Sequence, residues 1–230
     1  MLLSQSALHS AMSEQPNVSL NFYSFGVTLR KCEGDQHTEY PVDPAQVMNL
    51  LATKITFSTG LLGENTLYVH QEGVKKTIVE YRPPQMTGVF LDDSDIPLRV
   101  PLPGLLMIRT TKDNRSPDYA VYAVKKRPDT LKADLFHAPL PNVFTSGNIC
   151  WGSVERVADE ALHDVNLAAD WSMLLGSPFG NHAVNGKSKA HRDDIRKQFI
   201  ALEAKKSRRY PISDLLPAKT TLAHILGASS

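Results

Sequence analysis

The chain has 230 residues, 42% of them hydrophobic and 21% charged, with a net charge of +1. That is the make-up of a globular protein with a real core, and it lacks the global charge that draws a protein to nucleic acid or to an anionic membrane. Its two cysteines, Cys32 and Cys150, lie far apart and in no Cys-x-x-Cys arrangement, which excludes a zinc ribbon or disulfide framework and fits a reducing cytoplasm.

Residues 1–16 read as a loosely held terminus without the basic and apolar regions of a signal peptide. No later stretch reaches the roughly 20 apolar residues of a membrane helix. Val18, Leu20, Phe22 and Ser24 begin an alternating run that predicts one strand to about Arg30, with Cys32 just beyond it as a passive core or edge residue. Glu33–Glu39 reads as a polar turn. Asp43-Pro44 is an N-cap followed by a first-turn proline, predicting a helix to about Lys54 with Val47, Leu50 and Leu51 inward. From Thr66 the pattern becomes strand-rich: Leu67–His70, Lys76–Tyr81, Gly88–Leu91, then Leu105–Thr110 after the breaker Pro101-Leu102-Pro103-Gly104. The last, Tyr119–Lys125, follows the turn Asp113-Asn114-Arg115. Consecutive short strands predict an antiparallel meander.

Arg127–Ala138 carries the chain to a proline-punctuated stretch, Phe136–Trp151. Pro139 and Pro141 hold it extended, Gly147 allows a tight turn, and Cys150 follows beside Asn142. Two readings of this pair stand side by side. An amide near a thiol can donate to the oxyanion formed when a thioester carbonyl is attacked, worth roughly 3 kcal/mol; otherwise Cys150 is a small buried hydrophobe and Asn142 a turn residue. Val154–Leu175 predicts a long helix, with Val157, Ala161, Val165, Ala168 and Trp171 on one side and Trp171 as a core anchor. Trp151 packs under the thiol or covers it. Lys187–Arg209 holds nine basic residues against three acidic ones, with Ile195, Phe199 and Leu202 as an apolar helical stripe. Pro211–Leu226 is apolar enough to dock as a short helix.

The run Leu140-Pro141-Asn142-Val143, three residues, Gly147, one residue, Ile149-Cys150-Trp151 resembles the active-site segment of the ubiquitin-conjugating (UBC) superfamily. That family reads His-Pro-Asn-Ile/Val, three residues, Gly, one residue, Ile-Cys-Leu. Leu140 stands in place of the histidine, a structural brace in the family, and Trp151 in place of the leucine. Leu174-Leu175-Gly176-Ser177-Pro178-Phe179-Gly180-Asn181-His182 is similar to the family's later Leu-Leu-x-x-Pro-Asn-Pro-x-Asp segment. The likeness covers about Thr66–Asn185 and is strongest to the prokaryotic branch called family D, to which PRTRC-system proteins belong.

The resemblance implies an α+β, UBC-like antiparallel meander with flanking helices over 66–185, an N-terminal strand/helix extension over 1–65 and a basic, helical C-terminal tail over 186–230. It implies that Cys150 carries a ubiquitin-like modifier as a thioester received from a ThiF-type adenylating enzyme. Asn142 would stabilise the oxyanion, and His182 would stand where the family often has a gating aspartate. A JAB-type metallopeptidase belongs to the implied system, and the chain itself would hold no metal or organic cofactor. The alternatives are a non-catalytic adaptor, a nucleic-acid-binding accessory of a plasmid cassette using the 187–209 segment, and a cysteine hydrolase with His137 or His182 as base.

Overall fold

The computed structural model describes residues 18–33, 36–48, 59–73, 75–91, 94–112, 115–152 and 165–228. The chain divides into two units, Met1–Ser58 and Thr59–Ser230.

In the first unit the alternating run expected as one strand is a hairpin. β1 (Val18–Tyr23) and β2 (Gly26–Glu33) pair antiparallel through a two-residue turn, Tyr23 opposite Gly26. Alternation continues on both arms of so short a turn, so the period alone does not reveal the reversal. Glu33–Glu39, expected as a turn, is largely strand: β3 (Gln36–Val42) pairs with β2 and sets His37 opposite Cys32, which lies within β2. Asp43 caps the helical residues 44–48 as the sequence predicts, its carboxylate accepting the Ala45 N–H at 2.9 Å. The remainder of that helix, with Leu50 and Leu51, falls outside the described residues.

The second unit holds a six-stranded antiparallel sheet ordered β11-β10-β9-β8-β5-β4, built from β4 (Thr66–Glu72), β5 (Lys75–Arg82), β8 (Gly104–Lys112), β9 (Arg115–Val124), β10 (Asp134–His137) and β11 (Pro217–Thr221). The expected meander is interrupted. β6 (Gln85–Val89) and β7 (Leu98–Leu102) leave the sheet as a separate hairpin, so β5 pairs directly with β8. The expected breaker around Pro101 therefore lies partly inside β7, where proline is tolerated because every strand of a two-stranded sheet is an edge.

β8 is apolar on both faces, and this makes it the centre. Leu105 and Met107 face one cluster with Val121, Leu140, Trp171, Leu174 and Phe199, while Leu106 and Ile108 face another with Tyr122, Val124, Leu135 and Leu222. The first cluster is covered by α1 (Ala168–Gly176), α2 (Ile195–Ala204) and the β6–β7 hairpin; α3 (Leu222–Leu226) joins the second. Trp171 is the core anchor expected, 2% exposed.

Two helical expectations are corrected. Residues 165–167 are not helical, so the Val154–Leu175 pattern is not one continuous helix. α1 begins at Ala168, where Glu80 of β5 accepts the Leu167 N–H at 2.8 Å and Asn166 accepts that of Ala168 at 3.3 Å. Residues 153–164 lie outside the described part. The C-terminal tail is not only helical: after α2 and a short 3-10 turn (Ile212–Asp214) it returns as β11 and closes the sheet beside β10. Asp194 caps α2 by accepting the Arg196 N–H at 2.9 Å, and the expected stripe Ile195, Phe199, Leu202 is buried.

Candidate active site

The stretch from Leu140 to Cys150 leaves β10 and folds back on itself. The Phe144 N–H donates to the Asn148 carbonyl and the Gly147 N–H to that of Phe144, both at 2.8 Å, while Val143 bridges Ile149. The Val121 N–H of β9 donates to the Gly147 carbonyl at 2.8 Å, and the Tyr122 hydroxyl donates to the Ser146 carbonyl. Gly147, at φ +91°, is required twice over: the conformation suits glycine, and a Cβ there would fall 2.6 Å from the Tyr122 ring.

This fold-back places the three sequence-predicted residues in one hydrogen-bonded unit. The Cys150 N–H donates to the Asn142 carbonyl at 2.6 Å, and the Asn142 N–H donates to the His182 carbonyl at 2.9 Å. Asn142 sits at φ +60°, the left-handed region that asparagine tolerates better than other side-chain-bearing residues. Its Nδ2 donates to the Pro178 carbonyl at 3.3 Å, whereas its Oδ1 is buried without a partner among the described residues. The resembling downstream segment thus meets the loop at two points, and its own place is fixed by the Phe179 N–H donating to the Phe90 carbonyl at 2.8 Å.

Cys150 is a free, partly exposed thiol and His182 is exposed. Among the described residues no hydrogen bond joins the thiol to the His182 or His137 imidazole, so the contact between nucleophile and base that a cysteine hydrolase uses is not formed here. No three His, Cys, Asp or Glu side chains among them are placed to hold a metal ion. Trp151 packs edge-on against Tyr119, ring centroids 5.1 Å apart. The Tyr119 hydroxyl donates at 2.6 Å to Asp170 of α1, which also holds the buried Arg109 at 2.9 Å. The residue after the thiol is thereby tied through β9 to the helix beneath.

One residue at the site escapes the sequence reading. Lys187, grouped there with a solvated basic segment, is 1% exposed, and its Nζ donates to the Leu140 carbonyl at the start of the loop. Burial lowers its pKa from 10.5 to about 7. A neutral amine still donates N–H, so the brace persists in either charge state. Neighbouring His137 on β10 is half-buried and also titrates below its usual value, chiefly because of burial, with the nearby Lys187 charge adding to the effect and the Thr145 backbone opposing it. Nothing in hydropathy separates Lys187 from its exposed basic neighbours; only its position between Gly186 and Ser188, outside the helical stripe, sets it apart.

A family model described as prokaryotic E2 family D matches residues 45–218, well over half of the chain and the whole of this loop. Comparison with curated proteins and with solved structures gave no match. The chain belongs to prokaryotic E2 family D, whose E2-like domain ties it to ubiquitin-like modifier systems in a ubiquitin-conjugating-like role.

Proposed function

We propose that the chain carries a ubiquitin-like modifier on Cys150 and hands it to an amine. In this reading the second unit is a UBC-like core in which one β-hairpin has left the sheet. The Cys150 thiolate attacks the activated C-terminal carbonyl delivered by a ThiF-type adenylating enzyme; a C–S bond forms as the bond to the enzyme's leaving group breaks. An amine nitrogen then attacks the thioester, the Asn142 amide donates to the oxyanion, the His182 imidazole takes the proton from nitrogen, and the thiolate leaves. The observation that supports the reading is the backbone chain His182–Asn142–Cys150, in which main-chain hydrogen bonds link the three positions that bear the imidazole, the amide and the thiol. A JAB-type metallopeptidase would reverse the modification, and the reducing cytoplasm keeps the thiol free.

The adaptor reading has its own support: the Asn142 amide donates to Pro178 rather than toward the thiol, and His182 makes no side-chain hydrogen bond among the described residues. Mixing the protein with ATP, a ThiF-type adenylating enzyme and a candidate modifier, followed by intact mass spectrometry, separates the two. A carrier gives an adduct on Cys150 that reducing agent removes, and Cys150→Ser gives a stable ester or none. No adduct favours the adaptor, and a reducible adduct on Cys32 overturns the site. Once charged, His182→Ala should discharge to free lysine more slowly than wild type, with His182→Asp close to it.

A further inference from the structure

The basic segment folds around a cavity that the Cys150 site does not use. About 640 Å³ of space opens between α2, the loop at 189–191 and the turn at 205–214. Lys189, His191, Lys205 and Arg209 line it, against a single carboxylate, Asp214. That carboxylate is already engaged: Oδ1 accepts the Ala190 N–H at 2.8 Å and Oδ2 accepts the Tyr210 hydroxyl at 3.3 Å. The Lys189 Nζ donates to an uncharged group, the Ser213 carbonyl, at 2.7 Å, and neither Lys205 nor Arg209 has an ion-pair partner among the described residues.

Gln198 supplies the second observation. It lines the same cavity from α2 at 6% exposure, yet its side-chain amide makes no hydrogen bond among the described residues. The amide is not engaged by the described residues, so it is free to bond a polar group that enters the cavity. Several cations around the opening suit a multiply charged oxyanion better than a single carboxylate, and Arg209 offers the planar fork that phosphate accepts. The Gln198 amide offers both N–H donors and a carbonyl acceptor, which a neutral ring bearing donors and acceptors satisfies together and a fully ionised phosphate, an acceptor only, does not. The volume falls within the few hundred to 1,000 Å³ or so of small-molecule sites.

We propose that this cavity binds a phosphate-bearing small molecule of about nucleotide size, the phosphate held by Lys189, Lys205 and Arg209 and the polar ring by Gln198. Its occupancy is independent of the chemistry at Cys150.

The test is calorimetric titration of the full chain with ADP, pyrophosphate, adenosine, citrate and a short DNA duplex. ADP binds, adenosine alone does not, and pyrophosphate binds more weakly than ADP. The double variant Lys205→Ala/Arg209→Ala, altered only at exposed positions, loses about tenfold or more in ADP affinity. Gln198→Leu weakens ADP but leaves pyrophosphate unchanged; the pyrophosphate arm also reports whether that variant keeps the cavity intact. Failure of ADP to bind overturns the proposal, as does citrate binding as tightly as ADP, DNA binding in place of ADP, or equal ADP affinity in wild type and the double variant.

Discussion

Lys187 is the residue whose titration should be visible in the stability of the whole protein. Its pKa in the folded chain, about 7, lies below its ordinary 10.5, so between these values the unfolded chain holds a proton that the folded chain does not. Stability attributable to this group therefore rises with pH across that window, and below it the fold bears the full cost of a buried charge. Urea unfolding at pH values below, within and above the window should show this rise in wild type and not in Lys187→Met. The slope is the diagnostic, because methionine also leaves the Leu140 carbonyl without its donor. The same variant should discharge a thioester roughly tenfold more slowly if Lys187 positions the loop. Asn142 separates backbone from side chain in a similar way. Asn142→Gly keeps the left-handed conformation and loses only the amide, so it should charge normally and transfer on the order of 100-fold more slowly. Asn142→Ala should add a stability loss of about 1 kcal/mol from strain, measurable by thermal melting.

At the scale of elements, α1 is joined to the sheet by the Arg109–Asp170–Tyr119 group, buried and hydrogen-bonded through both carboxylate oxygens. Removing one partner of such a pair leaves an uncompensated charge. Asp170→Asn should therefore cost about 3–5 kcal/mol, whereas Tyr119→Phe, which keeps the ion pair, should cost about 1 kcal/mol. Equal losses in denaturant melts would mean that the tyrosine, not the charge pair, holds α1. Gly147→Ala should destabilise the Leu140–Cys150 loop by 2 kcal/mol or so through the collision with Tyr122. Gly152→Ala, where a Cβ would meet no described residue within 4 Å, should cost about 1 kcal/mol from its positive φ.

Over the whole second unit, β11 decides the closure. It is the last strand in the chain but covers the edge of β10, and α3, which follows it, places Leu222 in the second core cluster. A chain ending before Pro217 should expose that edge and lose cooperative melting by circular dichroism, since an unpaired strand over an open core has nothing to replace it. A fragment from Thr59 to Ser230, which keeps both core clusters, should melt in a single transition.

The sequence by itself determined the local features. Asp43 and α2 were legible because caps and helical stripes are set by neighbours three and four residues apart; β4, β5, β8 and β9 were legible because β-branched and apolar runs between turn residues have few other uses. The loop from Pro141 to Cys150 was legible because its spacing is a chain-local pattern. What only the tertiary structure decided depends on partners distant in sequence. The reversal at Ser24-Phe25, the departure of β6 and β7 from the sheet, the short strand β10 and the return of β11 beside it are choices of pairing, which hydropathy does not encode. Lys187 was hidden for the same reason: its charge places it at the surface by composition, and only the Leu140 carbonyl, 47 residues away, gives it a place inside.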